Sequence, residues 1–167
     1  MRVLVTAASK HGATAQIAGA IADELRLRGH EAVHLPLGEA SVAEFDAVVM
    51  GSAVYIGHWL KEATQFVRHN QVALRARRVW LFSSGPVGNL PRPDEPAVDV
   101  AKVERMTAAA GHVVFGGRLD HDELTFAEKA ILSALRAPEG DFRDWAAIRS
   151  WAGFVADDLH SVTTTAR

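Results

Sequence analysis

The stretch RVLVTAASKHGAT, Arg2 to Thr14, decides how this chain reads. Val3, Leu4 and Val5 are consecutive apolar residues, two of them β-branched. That is the pattern of a short strand, 2–6, buried on both faces. The polar, small-residue tract Ala8-Ser9-Lys10-His11-Gly12-Ala13-Thr14 follows. Beyond it Ile17, Ile21 and Leu25 recur at a spacing of four, so they share one face of a helix over 13–28. Gly29 stands where a left-handed C′ residue closes a helix.

The same alternation continues along the chain. Residues 31–35, 46–50, 78–83 and 112–116 are short apolar runs that read as strands. Between and after them, 60–69, 98–110, 124–136 and 143–159 read as helices, with Leu60, Ala63 and Val67 turned inward and Gly111 closing the third. Strands alternating with helices imply βαβ units and a parallel sheet. Five strands with right-handed crossovers give a doubly wound three-layer α/β sandwich, expected in the order 2-1-3-4-5. Residues 1–160 form one domain, with a polar tail at 161–167 and an irregular Pro-rich loop at 86–96. Arg75, Arg77 and Arg78 read as a solvated cluster where the fourth strand begins.

Composition narrows the classes. A length of 167 residues favours one buried core, and with a net charge of −2 no strong electrostatic attraction to nucleic acid is implied. The chain has no cysteine, which excludes disulfides, thiolate catalysis, iron–sulfur clusters and cysteine-held zinc. A cytoplasmic home fits. No apolar run approaches the length of a membrane span, and Val3–Val5 is too short for a signal-peptide core.

In doubly wound sheets, ligands bind beyond the carboxyl ends of the strands. Three loops lie there. In the first, Ala8–Thr14, Ser9 and Thr14 offer hydroxyls, Gly12 admits close backbone approach, and Lys10 and His11 add donors before a helix N-terminus. That describes a phosphate cradle; as turn chemistry alone it is a βα connection with Thr14 as N-cap. The second, Gly51–Trp59, has small residues with room for a flat ring, and Tyr55 and Trp59 to stack on it or to serve as core aromatics. Gly57 lets a peptide turn towards such a ring, and His58 beside it reads either as a proton carrier or as a wet rim residue. The third, Ser83-Ser84-Gly85-Pro86-Val87-Gly88-Asn89, brings hydroxyls and two glycines. G-x-G-x-x-G and G-x-x-x-x-G-K-[ST] are absent, and no acidic pair follows the first strand. Dinucleotide, P-loop and phospho-acceptor readings therefore fall away. In the segment 118–141, Asp120-His121-Asp122-Glu123 reads as a solvated acidic turn rather than a metal site. Leu124, Ala127, Ile131 and Leu135 form a stripe suited to packing on the domain, to a dimer or to peripheral membrane contact.

With these loops in place, the chain resembles the flavodoxin-like superfamily, closest to its menaquinone-dependent protoporphyrinogen oxidase branch. The carrying residues are Ser9-Lys10-His11-Gly12-Ala13-Thr14, Gly51-Ser52-Ala53 through Gly57-His58-Trp59, and Asp144-Trp145 with Ile148, Trp151 and Ala152. The resemblance implies FMN, with its phosphate at Ala8, Ser9, Lys10, His11, Gly12, Ala13 and Thr14. It implies the ring between Ala53, Val54, Tyr55, Ile56, Gly57 and Trp59 on one side and Ser83, Ser84, Gly85, Pro86, Val87 and Gly88 on the other. It also implies an extra segment before the last helix, oxidoreductase activity, and a quinone, a porphyrinogen-like small molecule or a redox protein as partner. Two other readings stand beside it: an electron carrier with no substrate of its own, and a flavin-free interaction domain. No residue is singled out as a catalytic acid or base.

Overall fold

The computed structural model describes residues 1–85, 97–120, 122, 125–134 and 139–165. Its elements run β1 (Arg2–Ala8), α1 (Ala13–Leu27), β2 (Glu31–His34), β3 (Ala47–Tyr55), β4 (His58–Trp59), α2 (Lys61–Arg75) and β5 (Arg78–Ser84). After these come α3 (Val100–Thr107), β6 (Gly111–Phe115), β7 (Arg118–Leu119), α4 (Phe126–Ala134), β8 (Gly140–Asp141) and α5 (Trp145–Thr165). The main sheet has the order β2-β1-β3-β5-β6, all parallel, and β4 folds back antiparallel on β3. With β4 set aside as a hairpin return, this is the expected 2-1-3-4-5 sandwich.

Period-two alternation explains the two cores. Val3, Val5, Ala47, Val49, Trp80 and Phe82 point to the face covered by α1 and α5. Leu4, Val48, Met50, Val79 and Leu81 point to the face covered by α2 and α3. Each central strand is thus buried on both sides, which is why its sequence is continuously apolar. Helix α1 ends as its glycine signals: Gly29 has φ +87, its N–H reaches Arg26 O at 3.0 Å, and His30 N–H reaches Leu25 O at 3.0 Å. This is the double bond of a Schellman close.

Four expectations shift. Strand β3 runs on to Tyr55, because its continuation forms the hairpin with β4. Helix α2 continues to Arg75. Helix α3 stops at Thr107, with Ala108 at φ +54 rather than a glycine, and α5 carries the expected polar tail as helix to Thr165. Arg75 and Arg78 at the start of β5 are exposed, as expected of a solvated cluster, and all three arginines there also hold partners. Arg77 donates to the carbonyls of Phe45 at 2.7 Å, Ala73 at 2.8 Å and Ala43 at 3.0 Å. Arg78 grips Asp158 of α5 with bonds of 2.9 and 2.8 Å, and Arg75 donates to Arg105 O at 2.8 Å.

Two glycines inside strands answer to aromatic neighbours. Gly51 lies directly opposite Phe82, and Gly111 directly opposite Trp80. A Cβ on Gly51 would overlap the Phe82 ring, and one on Gly111 would sit 2.6 Å from Trp80 Cζ3. The smallness of Gly51 therefore makes room for a core ring, and Gly111 is a packing residue, not a helix stop. Gly51→Ala is expected to destabilise the fold by about 2 kcal/mol through overpacking. An unchanged urea midpoint would show that the Phe82 ring can move aside.

Between β6 and α5 the chain makes an excursion. β7 and β8 pair antiparallel, Arg118 with Asp141 and Leu119 with Gly140, and α4 lies within the bracket. His121, Glu123, Leu124 and Leu135 of the acidic turn and the apolar stripe fall outside the described residues, as does the loop 86–96. Among the described residues no helix is long and apolar enough to cross a membrane, and no group of three or more residues is placed to hold a metal ion.

Candidate ligand site at the strand carboxyl ends

Adjacent strands β1, β3 and β5 end side by side. Ala8 pairs with Ser52, Ser52 with Ser83, and Ala53 with Ser84. The chain passes outward from β1 to β2 and then returns to the far side of β1 for β3, so the topological switch point falls between β1 and β3. A crevice outside the strand ends is expected there.

The first loop carries the features that an anion site needs. Gly12 is the N-cap of α1, with φ +81, and a Cβ there would meet no atom within 4 Å. The first bond of the helix ladder in this turn runs from Gln16 N to Gly12 O at 3.0 Å. The N–H groups of Ala13, Thr14 and Ala15 precede that ladder, no side chain caps them, and no acid lies in the first turn. Thr14 is not the N-cap; it is 2% exposed inside the first turn. Ser9 supplies the sharpest feature, since its Oγ is buried and, among the described residues, has no hydrogen-bond partner. A stranded hydroxyl of that kind costs about 1–3 kcal/mol unless something else satisfies it. Ala8 closes β1 in the core, and His11 is half-buried beside Lys10.

Lys10 links this loop to the second one, its Nζ lying 5.3 Å from the centre of the Tyr55 ring. Tyr55 pairs with His58 and Val54 with Trp59 across a two-residue turn. The turn is Ile56-Gly57, with φ +48 and +75, the positive pair that a tight hairpin turn of this hand needs. Glycine takes that conformation freely, whereas isoleucine is strained by it. Ile56 is also 72% exposed, so no burial offsets the strain. Such strain at an exposed β-branched residue makes Ile56 a candidate for a surface role. Ile56→Asn is expected to stabilise the protein by about 1 kcal/mol, read from the thermal midpoint. A fall in the midpoint would remove the strain argument.

The other ring-side residues divide. Trp59 is 4% exposed and packs in the core beneath α2 and α3, with Nε1 donating to Ser83 Oγ at 2.8 Å. Tyr55, half-buried, is left as the aromatic at the rim. The Gly57 carbonyl accepts from Val98 N–H at 2.9 Å, which ties the hairpin to the segment leading into α3. Asp99 Oδ2 adds a second tie, accepting from Trp59 N–H at 3.1 Å and lying 3.0 Å from His58 Nδ1. His58 is thus engaged at the rim.

In the third loop Ser83, Ser84 and Gly85 are buried at the end of β5. Gly85 has φ +109, and its N–H reaches Phe115 O at 2.9 Å. Pro86, Val87 and Gly88 lie outside the described residues. Ser83 Oγ also sits 2.8 Å from His112 Nε2. Burial lowers the His112 pKa to about 4, so the ring is neutral at pH 7. The indole N–H donates to Ser83 Oγ, and the same oxygen shares a second hydrogen bond with His112 Nε2, so Trp59, Ser83 and His112 form one chain of contacts. Sequence patterning does not single out His112, because only the register of β6 against β5 brings it to Ser83.

Arg143 also escaped the motif reading. Its side chain is 5% exposed, forks onto Asp141 with bonds of 2.8 and 2.6 Å, and reaches Gln16 Oε1 at 2.6 Å and Ala13 O at 3.4 Å. It lies 4.6 Å from the centre of the Trp145 ring. The excursion is thereby fastened to the first turn of α1. Asp141, held by that fork, titrates below the usual carboxylate range.

A doubly wound sheet of the open-sheet α/β class thus brings together at its switch point an uncapped helix start, a buried hydroxyl with no partner among the described residues, and a strained hairpin. The family model described as "Flavodoxin domain" matches residues 4–145, and the chain belongs to that family. Solved structures agree on the fold. A flavodoxin from the domain Archaea superposes with a TM-score of 0.66 at 12% identity, over 96% of this chain and 99% of that one. Megasphaera elsdenii flavodoxin gives 0.59 at 17% identity, over 94% and 99%. Rubredoxin oxygen:oxidoreductase from Desulfovibrio gigas gives 0.65 at 12% identity over 96% of this chain, which spans only 36% of that protein. No curated protein matches the chain.

Proposed function

We propose that this domain binds FMN at the strand carboxyl ends and passes electrons to and from a redox partner. The carrying observation is Ser9 Oγ, a buried hydroxyl with no partner among the described residues, beside the uncapped start of α1. A phosphate group supplies the acceptor oxygens that Ser9 and the N–H groups of Ala13, Thr14 and Ala15 call for. Gly12, open and left-handed, lets backbone approach such a group, and Lys10 adds positive charge. Tyr55, Ile56 and Gly57 on the hairpin and Ser84 and Gly85 at the end of β5 would flank the ring, with Pro86, Val87 and Gly88 beyond.

When bound, FMN supplies one- and two-electron transfer. The protein's share is to bind and orient it. The hairpin is fixed from behind by Val98 and Asp99, so Tyr55 and Ile56 are presented on a prepared frame. Trp59, Ser83 and His112 hold the ends of β3–β4 and β5 together beneath it.

Titration of the purified protein with FMN and with riboflavin, followed by flavin fluorescence, tests the reading. Saturable binding of FMN with quenching, and binding of riboflavin at least tenfold weaker, is the expected outcome. Failure of the folded protein to bind FMN would end it.

A narrower reading makes the domain an enzyme of the porphyrinogen-oxidising, quinone-reducing type. It is favoured by the β7–α4–β8 excursion, which stands where the resemblance implies an extra segment before the last helix. Reduction of the bound flavin by a porphyrinogen and reoxidation by a quinone would support it. A flavin that neither compound affects would leave the electron carrier.

A further inference from the structure

Outside the strand-end site, a cleft of about 320 Å³ opens between α2 and α3, roofed by β4. Lys61, Thr64 and Arg68 line one wall at i, i+3 and i+7 on α2, and Asp99 and Lys102 line the other. This spacing places each set on a single helical face. Trp59, Val103 and Met106 add apolar surface. Lys61, Arg68 and Lys102 are exposed, and among the described residues their ammonium and guanidinium groups have no hydrogen bond, ion pair or ring contact. Among the described residues, the only carboxylate lining the cleft is Asp99, whose Oδ2 is committed to His58 Nδ1 and the Trp59 N–H.

Three cations around one concavity, with the neighbouring acid already engaged, repel one another until an anion arrives. Guanidinium and ammonium groups recognise phosphate and carboxylate oxygens, the first through a planar fork and the second as a point charge. The volume falls within the range of small-molecule pockets, at its lower end. We infer that the α2–α3 cleft is a second binding site, which takes a small polyanion bearing two or more phosphate or carboxylate groups. Arg68 and Lys102 would hold it from opposite walls, with Lys61 and the Thr64 hydroxyl beside them. This site is distinct from the phosphate cradle at Ser9–Thr14 and stands or falls independently of FMN.

The test uses the full chain, titrated separately with inorganic pyrophosphate and with citrate. Calorimetry reads affinity, and NMR shifts of the Trp59 indole and the Lys102 amide read location. Saturable binding of either anion is expected, with shifts centred on α2 and α3. The tighter of the two identifies phosphate or carboxylate as the natural chemistry. The Arg68→Gln/Lys102→Gln double variant, changed only at exposed positions, should bind at least tenfold more weakly at α2 and α3, while Ser9→Ala should leave the shifts of Trp59 and Lys102 at their parental midpoint. Saturation by neither anion, equal affinity in the double variant, or shifts confined to residues 9–14 would overturn the inference.

Discussion

Ser9→Ala should weaken FMN binding by about 10- to 100-fold while leaving the FMN-free protein as stable as before or slightly more so. The two effects have opposite signs because one hydroxyl serves two states. Without a ligand, Ser9 Oγ is buried with no partner among the described residues, so alanine removes an unmet polar group and relieves the fold. With FMN bound, the same oxygen would donate to a phosphate, and a hydrogen bond to a charged group contributes about 1.5–3 kcal/mol. Each 1.4 kcal/mol is a tenfold change in affinity. Fluorescence titration gives the first quantity and urea unfolding of the FMN-free protein the second. Parental affinity in Ser9→Ala would place the phosphate elsewhere. A loss of stability of more than about 1 kcal/mol would show that the hydroxyl already has a structural partner.

The second large effect concerns acid. Stability is expected to fall between about pH 6.5 and pH 4, with His112 the main contributor. Its pKa is lowered to about 4 by burial, from an unfolded value of 6.5. A group depressed on folding contributes its full stability above the unfolded pKa and loses it as the pH drops through the folded one. The whole shift corresponds to about 3 kcal/mol, and because the ring is only half-buried, screening by water reduces the expected loss to about 2 kcal/mol. His30 and His34 are lowered chiefly by burial as well and act in the same window with the same sign. Asp141 and Asp158, lowered by Arg143 and Arg78, act only below their unfolded value of 3.8. His112→Gln keeps a polar side chain near Ser83 and should flatten the slope between pH 6.5 and 4 without abolishing it. Equal slopes in parent and variant, from urea midpoints across that range, would remove His112 from the account.

The sheet was legible because its signal is redundant. Val3-Leu4-Val5, Val48-Val49-Met50 and Val79 to Phe82 each fill both cores, so a continuous apolar run could mean little else. The first loop was legible because strand, glycine and helix follow within a few residues, and the structure changes only the cap, from Thr14 to Gly12. What stayed hidden depends on register or distance. Nothing local distinguishes Gly111 as a helix stop from Gly111 as the space beneath Trp80; only the β5–β6 pairing decides. Trp59 reads equally well as a ring platform and as a core residue until Ser83 is seen to hold its N–H. Arg143 was legible only as the first residue of an expected helix, yet its side chain links Asp141 of β8 to Gln16 of α1, and no motif encodes a contact 127 residues away.

The β7–β8 clasp gives the domain an architectural freedom. The chain leaves at Arg118–Leu119 and returns at Gly140–Asp141, and Phe142 N–H closes on Gly117 O at 3.0 Å. Gly116 lies so close to the Phe142 backbone that even a methyl group would overlap it. Departure and return are therefore pinned together whatever lies between them, and lengthening a loop whose ends are already fixed adds little closure entropy. Such a clasp works as a socket. Segments of different length or character can be carried between β7 and β8 without disturbing the β5–β6 register or the seating of α5, so descendants of this fold can acquire new surfaces at that point while the strand-end crevice is inherited unchanged.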